Sequence, residues 1–156
     1  MPNQTPDRRA PNRFESLHRL NDLNTDSIKV ILDFALDEAI HLTQSSIGYL
    51  FFYDDSKHVC TLYSWSKAAM DECKISDKQL IYHLDETGMW GESIRHRSPF
   101  TINCFDKPNA LKKGYPDGHV TINKFLSIPI IQSAKIVATV GVANKTTDYA
   151  QEDIDQ

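Results

Sequence analysis

The sequence predicts an α+β domain: a central antiparallel sheet of about five to six strands, with helices on one face and a long lid loop on the other. Three stretches carry that reading. Phe125–Lys145 (FLSIPIIQSAKIVATVGVANK) holds two Ile- and Val-rich runs around a polar break at Gln132–Lys135, and such residues favour a pleated strand. Neither run alternates cleanly between apolar and polar, as in strands covered on both sides. The hairpin Phe125–Ile131 and Ile136–Ala143 is therefore expected at the centre of the sheet. Ser27–Thr43 places apolar residues at helical spacing, and Cys104–Val120 is a long connection punctuated by Pro108, Gly114, Pro116 and Gly118.

In chain order, residues 1–11 carry three prolines and few apolar side chains, so they read as a linker or frayed arm. Residues 12–25 form a connecting helix with Phe14, Leu17, Leu20 and Leu23 as anchors, suited to an upstream domain, to a dimer seam or to plain packing on the sheet. The domain proper spans residues 26–156. Asp26 or Ser27 caps a helix whose stripe is Ile28, Ile31, Leu32, Ala35, Ala39 and Leu42. Ile47–Tyr53 is an aromatic strand, Asp54–Lys57 a turn, and His58–Ser66 the returning strand. Simple alternation puts Val59, Thr61, Tyr63 and Trp65 on one face and Cys60, Leu62 and Ser64 on the other. Lys67–Ser76 is a short helical excursion, Gln79–Leu84 a further strand, Thr87–Arg97 a short helix and Phe100–Asn103 a brief strand. The acids of Ala150–Gln156 suit a helix N-terminus, and a helix cut so early reads as truncated, a piece of a longer protein.

Bulk properties narrow the function classes. The formal charge is −4, which argues against a nucleic-acid partner held by a basic face. No apolar run has the length of a membrane span and the N-terminus lacks a signal-peptide core, so direct membrane insertion is not expected and a cytoplasmic location is. Cys60, Cys73 and Cys104 are odd in number and widely spaced, which suits a reducing compartment. No Walker loop, GxGxxG, CxxC or HExxH spacing occurs, so neither a catalytic motif nor a metal site is read from the chain, and no cofactor is identified.

The order of elements resembles a GAF domain, the small-molecule-sensing relative of the PAS domain, from about Asp26 onward. The residues that carry the resemblance are IGYLFFY at Ile47–Tyr53, GMWGES at Gly88–Ser93, GYPDGH at Gly114–His119, FLSIPI at Phe125–Ile130 and GVANK at Gly141–Lys145. The set is similar to GAF domains of prokaryotic sensor histidine kinases, diguanylate cyclases and other multidomain signalling proteins. The family's Asn-Lys-Phe-Asp-Glu motif of cyclic-nucleotide binders survives only as Asn144, Lys145, Tyr149 and Asp153. It therefore supports the fold, with Lys145 and Asp153 able to staple the last strand to the last helix, more than it supports cyclic-nucleotide binding. Pro129 in the fifth strand is expected to mark a bulge or a one-sided gap in pairing.

The resemblance implies a pocket between the sheet and the segments covering it, lined by Trp65, Trp90, Asn103, Tyr115, His119 and Phe125. Aromatics supply flat apolar area and a few polar groups fix orientation, although tryptophans are also ordinary core residues. Lys112 and Lys113 on the lid are placed to meet an anion. These readings imply a non-catalytic sensory module that binds an unidentified small molecule. It would form a homodimer through its terminal helices and be joined covalently to an output domain. The alternatives are a ligand-free dimerisation relay and a cysteine-based free methionine sulfoxide reductase acting through Cys104. Val140→Asp is expected to unfold the domain by burying an unpaired charge, which chemical denaturation measures.

Overall fold

Among the described residues, six antiparallel strands form one sheet. The computed structural model describes residues 12–72, 80–113 and 119–156, and the expected arm at 1–11 lies outside them. The strands are β1 (Ile47–Asp54), β2 (Val59–Trp65), β3 (Ile81–His83), β4 (Phe100–Ile102), β5 (Phe125–Gln132) and β6 (Lys135–Ala143), and across the sheet they run in the order β3-β2-β1-β6-β5-β4. As expected, the Ile/Val hairpin is central: β6 pairs with β1 on one side and β5 on the other. Its turn is tighter than the polar break suggested. Ser133 and Ala134 alone connect the strands, both with positive φ, the two-residue geometry that matches strand twist.

One face carries Leu50, Leu126 and Val142 under α2 (Ile28–Leu42). Leu36 of α2 is 1% exposed, with Ala39 and Ile40 against the sheet, whereas Ile28 is 65% exposed. The buried stripe is thus rotated from the expected one: Leu36 and Ile40 belong to it and Ile28 does not. Ser27 stands at the N-cap position but makes no side-chain cap bond. On the other faces of α2, Asp33 accepts from Lys29 and from Ser64 Oγ of β2, and Glu38 pairs with Arg19. α1 (Arg13–Asn21) lies beside α2, and between them and the sheet runs an apolar groove of about 260 Å³, walled by Leu17, Leu20, Ala35, Leu42, Ile128 and Val140.

β2 departs from simple alternation. Leu50 pairs with Ser64 and Phe51 with Leu62, so Tyr63 bulges out of the ladder. A bulge inserts one unpaired residue and moves the residues beyond it to the opposite face. Trp65 therefore sits across from Tyr49, on the same side as Cys60 and Leu62 rather than with Val59 and Thr61. Pro129 is also accommodated: β4 pairs only with residues 125–127, leaving β5 a single neighbour at the proline, with an irregularity between Ile130 and Ile131 just beyond it.

The last strand and α5 (Gln151–Ile154) are joined by Lys145 and Asp153, as the motif suggested, and Asp153 also accepts from Ala150 N–H at 2.9 Å. Among the described residues no helix is long and apolar enough to cross a membrane.

Val140 is only half-buried along the groove, while Val142 is 4% exposed between α2 and the sheet. A charge at Val142 has no route to water. Val142→Asp should lose about 3–5 kcal/mol, enough to unfold much of the population, and Val140→Asp distinctly less, as read by urea denaturation.

Candidate functional site

The face of the sheet opposite α2 is aromatic. Tyr49, Phe51 and Tyr53 alternate along β1 on that side, as the period of a strand requires, and Phe125 of β5 joins them. α3 (Lys67–Glu72) contributes Ala69, and α4 (Glu92–His96) comes after two short 3₁₀ turns at Leu84–Glu86 and Met89–Gly91.

A polar clamp holds those turns. The Arg95 guanidinium donates to the carbonyls of Leu84, Thr87 and Gly88 at 2.7, 2.7 and 3.1 Å, and pairs with the buried carboxylate of Glu92. Gly91 is needed there because a Cβ would fall on Thr87 Oγ1. The clamp sets Trp90, which stacks on Phe51 with centroids 4.9 Å apart and meets Tyr82 and Tyr49 edge-on at 5.4 and 6.3 Å. These geometries suit the ring quadrupoles.

Trp65, Trp90 and Phe125 come together in one cluster with Val120 and Ile122 from the end of the long loop. His119 adjoins it, with Nδ1–H donating to the Val120 carbonyl at 2.6 Å. The start of the loop also reaches the clamp: the Leu111 carbonyl and Lys113 backbone lie over Gly88. Lys113 Nζ donates to the Asp85 carbonyl at 2.5 Å, and Lys112 lies over the Phe105 ring. Asn103 faces elsewhere. Its amide donates to the Tyr149 carbonyl at 3.0 Å and accepts from the Tyr149 N–H at 2.7 Å, while the Tyr149 ring packs on the α2 side with Leu126 and Val142. Asn103 is thus occupied as a fastener. Tyr115 lies outside the described residues.

Three site residues escaped the sequence reading: Tyr49, Phe51 and Tyr82. The first two were legible as alternate residues of an aromatic strand; Tyr82 becomes relevant only through the β2–β3 pairing. At the floor, Ser93, Ser127 and Thr139 are completely buried and hydrogen-bond one another, with oxygens 2.8, 3.0 and 3.3 Å apart. Tyr49 lies across Gly141, where a Cβ would fall inside its ring. Burial pushes the Tyr49 phenol well above its ordinary pKa.

Cys60 is fully buried under this face and burial pushes its thiol up to about 11, while Cys104 is exposed. Cys73 lies outside the described residues.

A sequence model of the GAF domain family matches residues 25–156. The chain is 44% identical over 144 residues to the methyl sulfide methyltransferase-associated sensor of Methanosarcina acetivorans, covering 92% of this chain and 14% of that protein. The fold is similar to the GAF domain of a phosphoenolpyruvate-protein phosphotransferase from Coxiella burnetii, with a TM-score of 0.71 at 15% identity over 90% of this chain and 80% of that one. It is also similar to free methionine-R-sulfoxide reductase from Neisseria meningitidis, with a TM-score of 0.63 at 6% identity over 89% and 75% of the two chains.

The thiols give a direct test of burial. In the folded protein at pH 8, iodoacetamide should modify Cys104 and spare Cys60, by peptide mapping. Because folding raises the Cys60 pKa from 9.0 to about 11, its contribution to stability is complete below pH 9 and is lost as pH rises through 11. The denaturation midpoint should fall across that window, and less steeply in Cys60→Ala.

Proposed function

The chain belongs to the GAF domain family, and from that premise we propose that it is the sensory module of a longer signalling protein, such as a sensor histidine kinase or diguanylate cyclase. A small molecule binds on the aromatic face, and the bound state is relayed through the terminal helices. The observation that carries this is the meeting of Trp65, Trp90 and Phe125 beneath Val120 at the end of the long loop. Aromatic walls with few polar groups are the usual chemistry of a ligand site. The 44% identity to a protein named as a sensor supports the same reading. On this reading the domain itself is non-catalytic. A ligand changes the helices only if it binds their two arrangements with different affinity.

Native mass spectrometry of freshly purified protein, with a metabolite thermal-shift screen, tests it. A co-purified mass or a stabilising compound is expected, with the effect lost in Trp90→Ala. An apo mass with no stabiliser across the screen would count against it.

A second reading, a dimerisation relay, has its own support. On α1, Phe14 is 67% and Leu17 58% exposed beside the apolar groove, and large apolar side chains so placed suit a helix seam. Light scattering should then give a dimer that Leu17→Asp converts to monomer. A wild-type monomer at all concentrations removes this reading.

A further inference from the structure

The Tyr49 hydroxyl is sealed from solvent and finds no hydrogen-bond partner. Ser93, Ser127 and Thr139 stand close by and bond one another, and Thr139 also donates to the Ile128 carbonyl at 3.3 Å, but none of them reaches the phenol. Ser127 lies near enough to lower the phenol's pKa in part, without hydrogen-bond geometry. A buried donor left unmade costs about 1–3 kcal/mol, and each such group in a native protein calls for an explanation. Packing does not supply one, because a phenylalanine ring would fill the same place across Gly141. The phenol stands where the aromatic site is deepest: the Tyr49 ring stacks on Phe125 at 6.1 Å, meets Trp90 at 6.3 Å and pairs across the ladder with Trp65. Tyr49, Trp65 and Trp90 each keep part of their surface open to solvent.

The geometry points to Tyr49 as the polar anchor of the ligand site, its phenolic O–H donating to the carbonyl oxygen of a flat, uncharged molecule whose body lies against Trp65, Trp90 and Phe125. This assignment rests on the small-molecule reading of the aromatic face. Flatness comes from the ring walls. Neutrality comes from the floor, which offers hydroxyls and aliphatic groups: a carboxylate there would exchange water for a single unpaired donor. Trp90 must turn off Tyr49 to admit the carbonyl.

Equilibrium dialysis of the full chain with 2-acetylnaphthalene and with 2-isopropenylnaphthalene, which has the same shape but no acceptor, tests the assignment. Wild type should bind the ketone about tenfold more tightly, the worth of one hydrogen bond to a donor otherwise left unmade. Tyr49→Phe should bind both probes equally, with hydrocarbon affinity and thermal midpoint at least as high as in wild type. Equal binding of both probes by wild type overturns the anchor without any variant being needed, and so does a ketone preference that persists in Tyr49→Phe. Both outcomes leave the aromatic face as a binding site. Binding of neither probe overturns the flat-ligand assignment, and the wider sensory reading then stands or falls on the native mass and the thermal-shift screen.

Discussion

β6 has a ladder neighbour on each edge and packing on each face, and the rest of the domain is arranged around that condition. Val142 faces α2 and Ala143 faces the aromatic cluster. Gly141, in phase with Ala143, has no side chain, and the Tyr49 ring takes the vacated space. Close packing leaves little slack for that exchange: a missing side chain on one strand is matched by a large ring from its neighbour. The same contact brings a phenol to the middle of the sheet, beside three buried hydroxyls that come from a helix and two strands.

The two faces are finished by different means. The α2 face is covered by aliphatic packing, with a groove left toward α1, and is fastened at its end by polar contacts around Tyr149. Its hydroxyl meets Ser45 at 2.6 Å and its backbone is held by Asn103. Asn144, with φ of 63°, donates to the Thr121 carbonyl at 2.7 Å and accepts from Asn123 N–H at 2.8 Å. Asn144, Lys145, Tyr149 and Asp153 therefore tie the final strand to its surroundings, a structural employment for residues that form a ligand-associated motif elsewhere in the family. The aromatic face is closed by rings and by backbone carbonyls gathered on Arg95, leaving Tyr49, Trp65 and Trp90 partly open. The side fastened around Tyr149 carries the terminal helices, and the side gathered on Arg95 carries the candidate site.

Much of this was legible in the chain because the signals were local. The Ile/Val runs, the helical spacing of 27–43 and the aromatic alternation of 47–53 each come from the period of one element. What escaped depended on partners distant in sequence. Asn103 looks like a ligand-facing amide until Tyr149 is folded against it. Leu36, rather than Ile28, takes the buried position on α2 because the approach angle of the sheet decides which side of a broad stripe is covered. Tyr82 acquires its place only when β3 pairs with β2. The bulge at Tyr63 carries no mark in composition, since Tyr and Trp suit a regular strand as well as a broken one.

That bulge makes the position of Trp65 a matter of parity. Counting along β2 from Cys60, an indole five residues on would belong to the α2 side; one supernumerary residue brings it to the other. Removing Tyr63 would leave Leu62 and Trp65 two residues apart in a regular strand and still on one face, so the ladder would lose its kink while the aromatic wall kept its indole. A relative one residue shorter in that interval would therefore still present its aromatic side chain to the site, as long as the residue it lacks is the unpaired one.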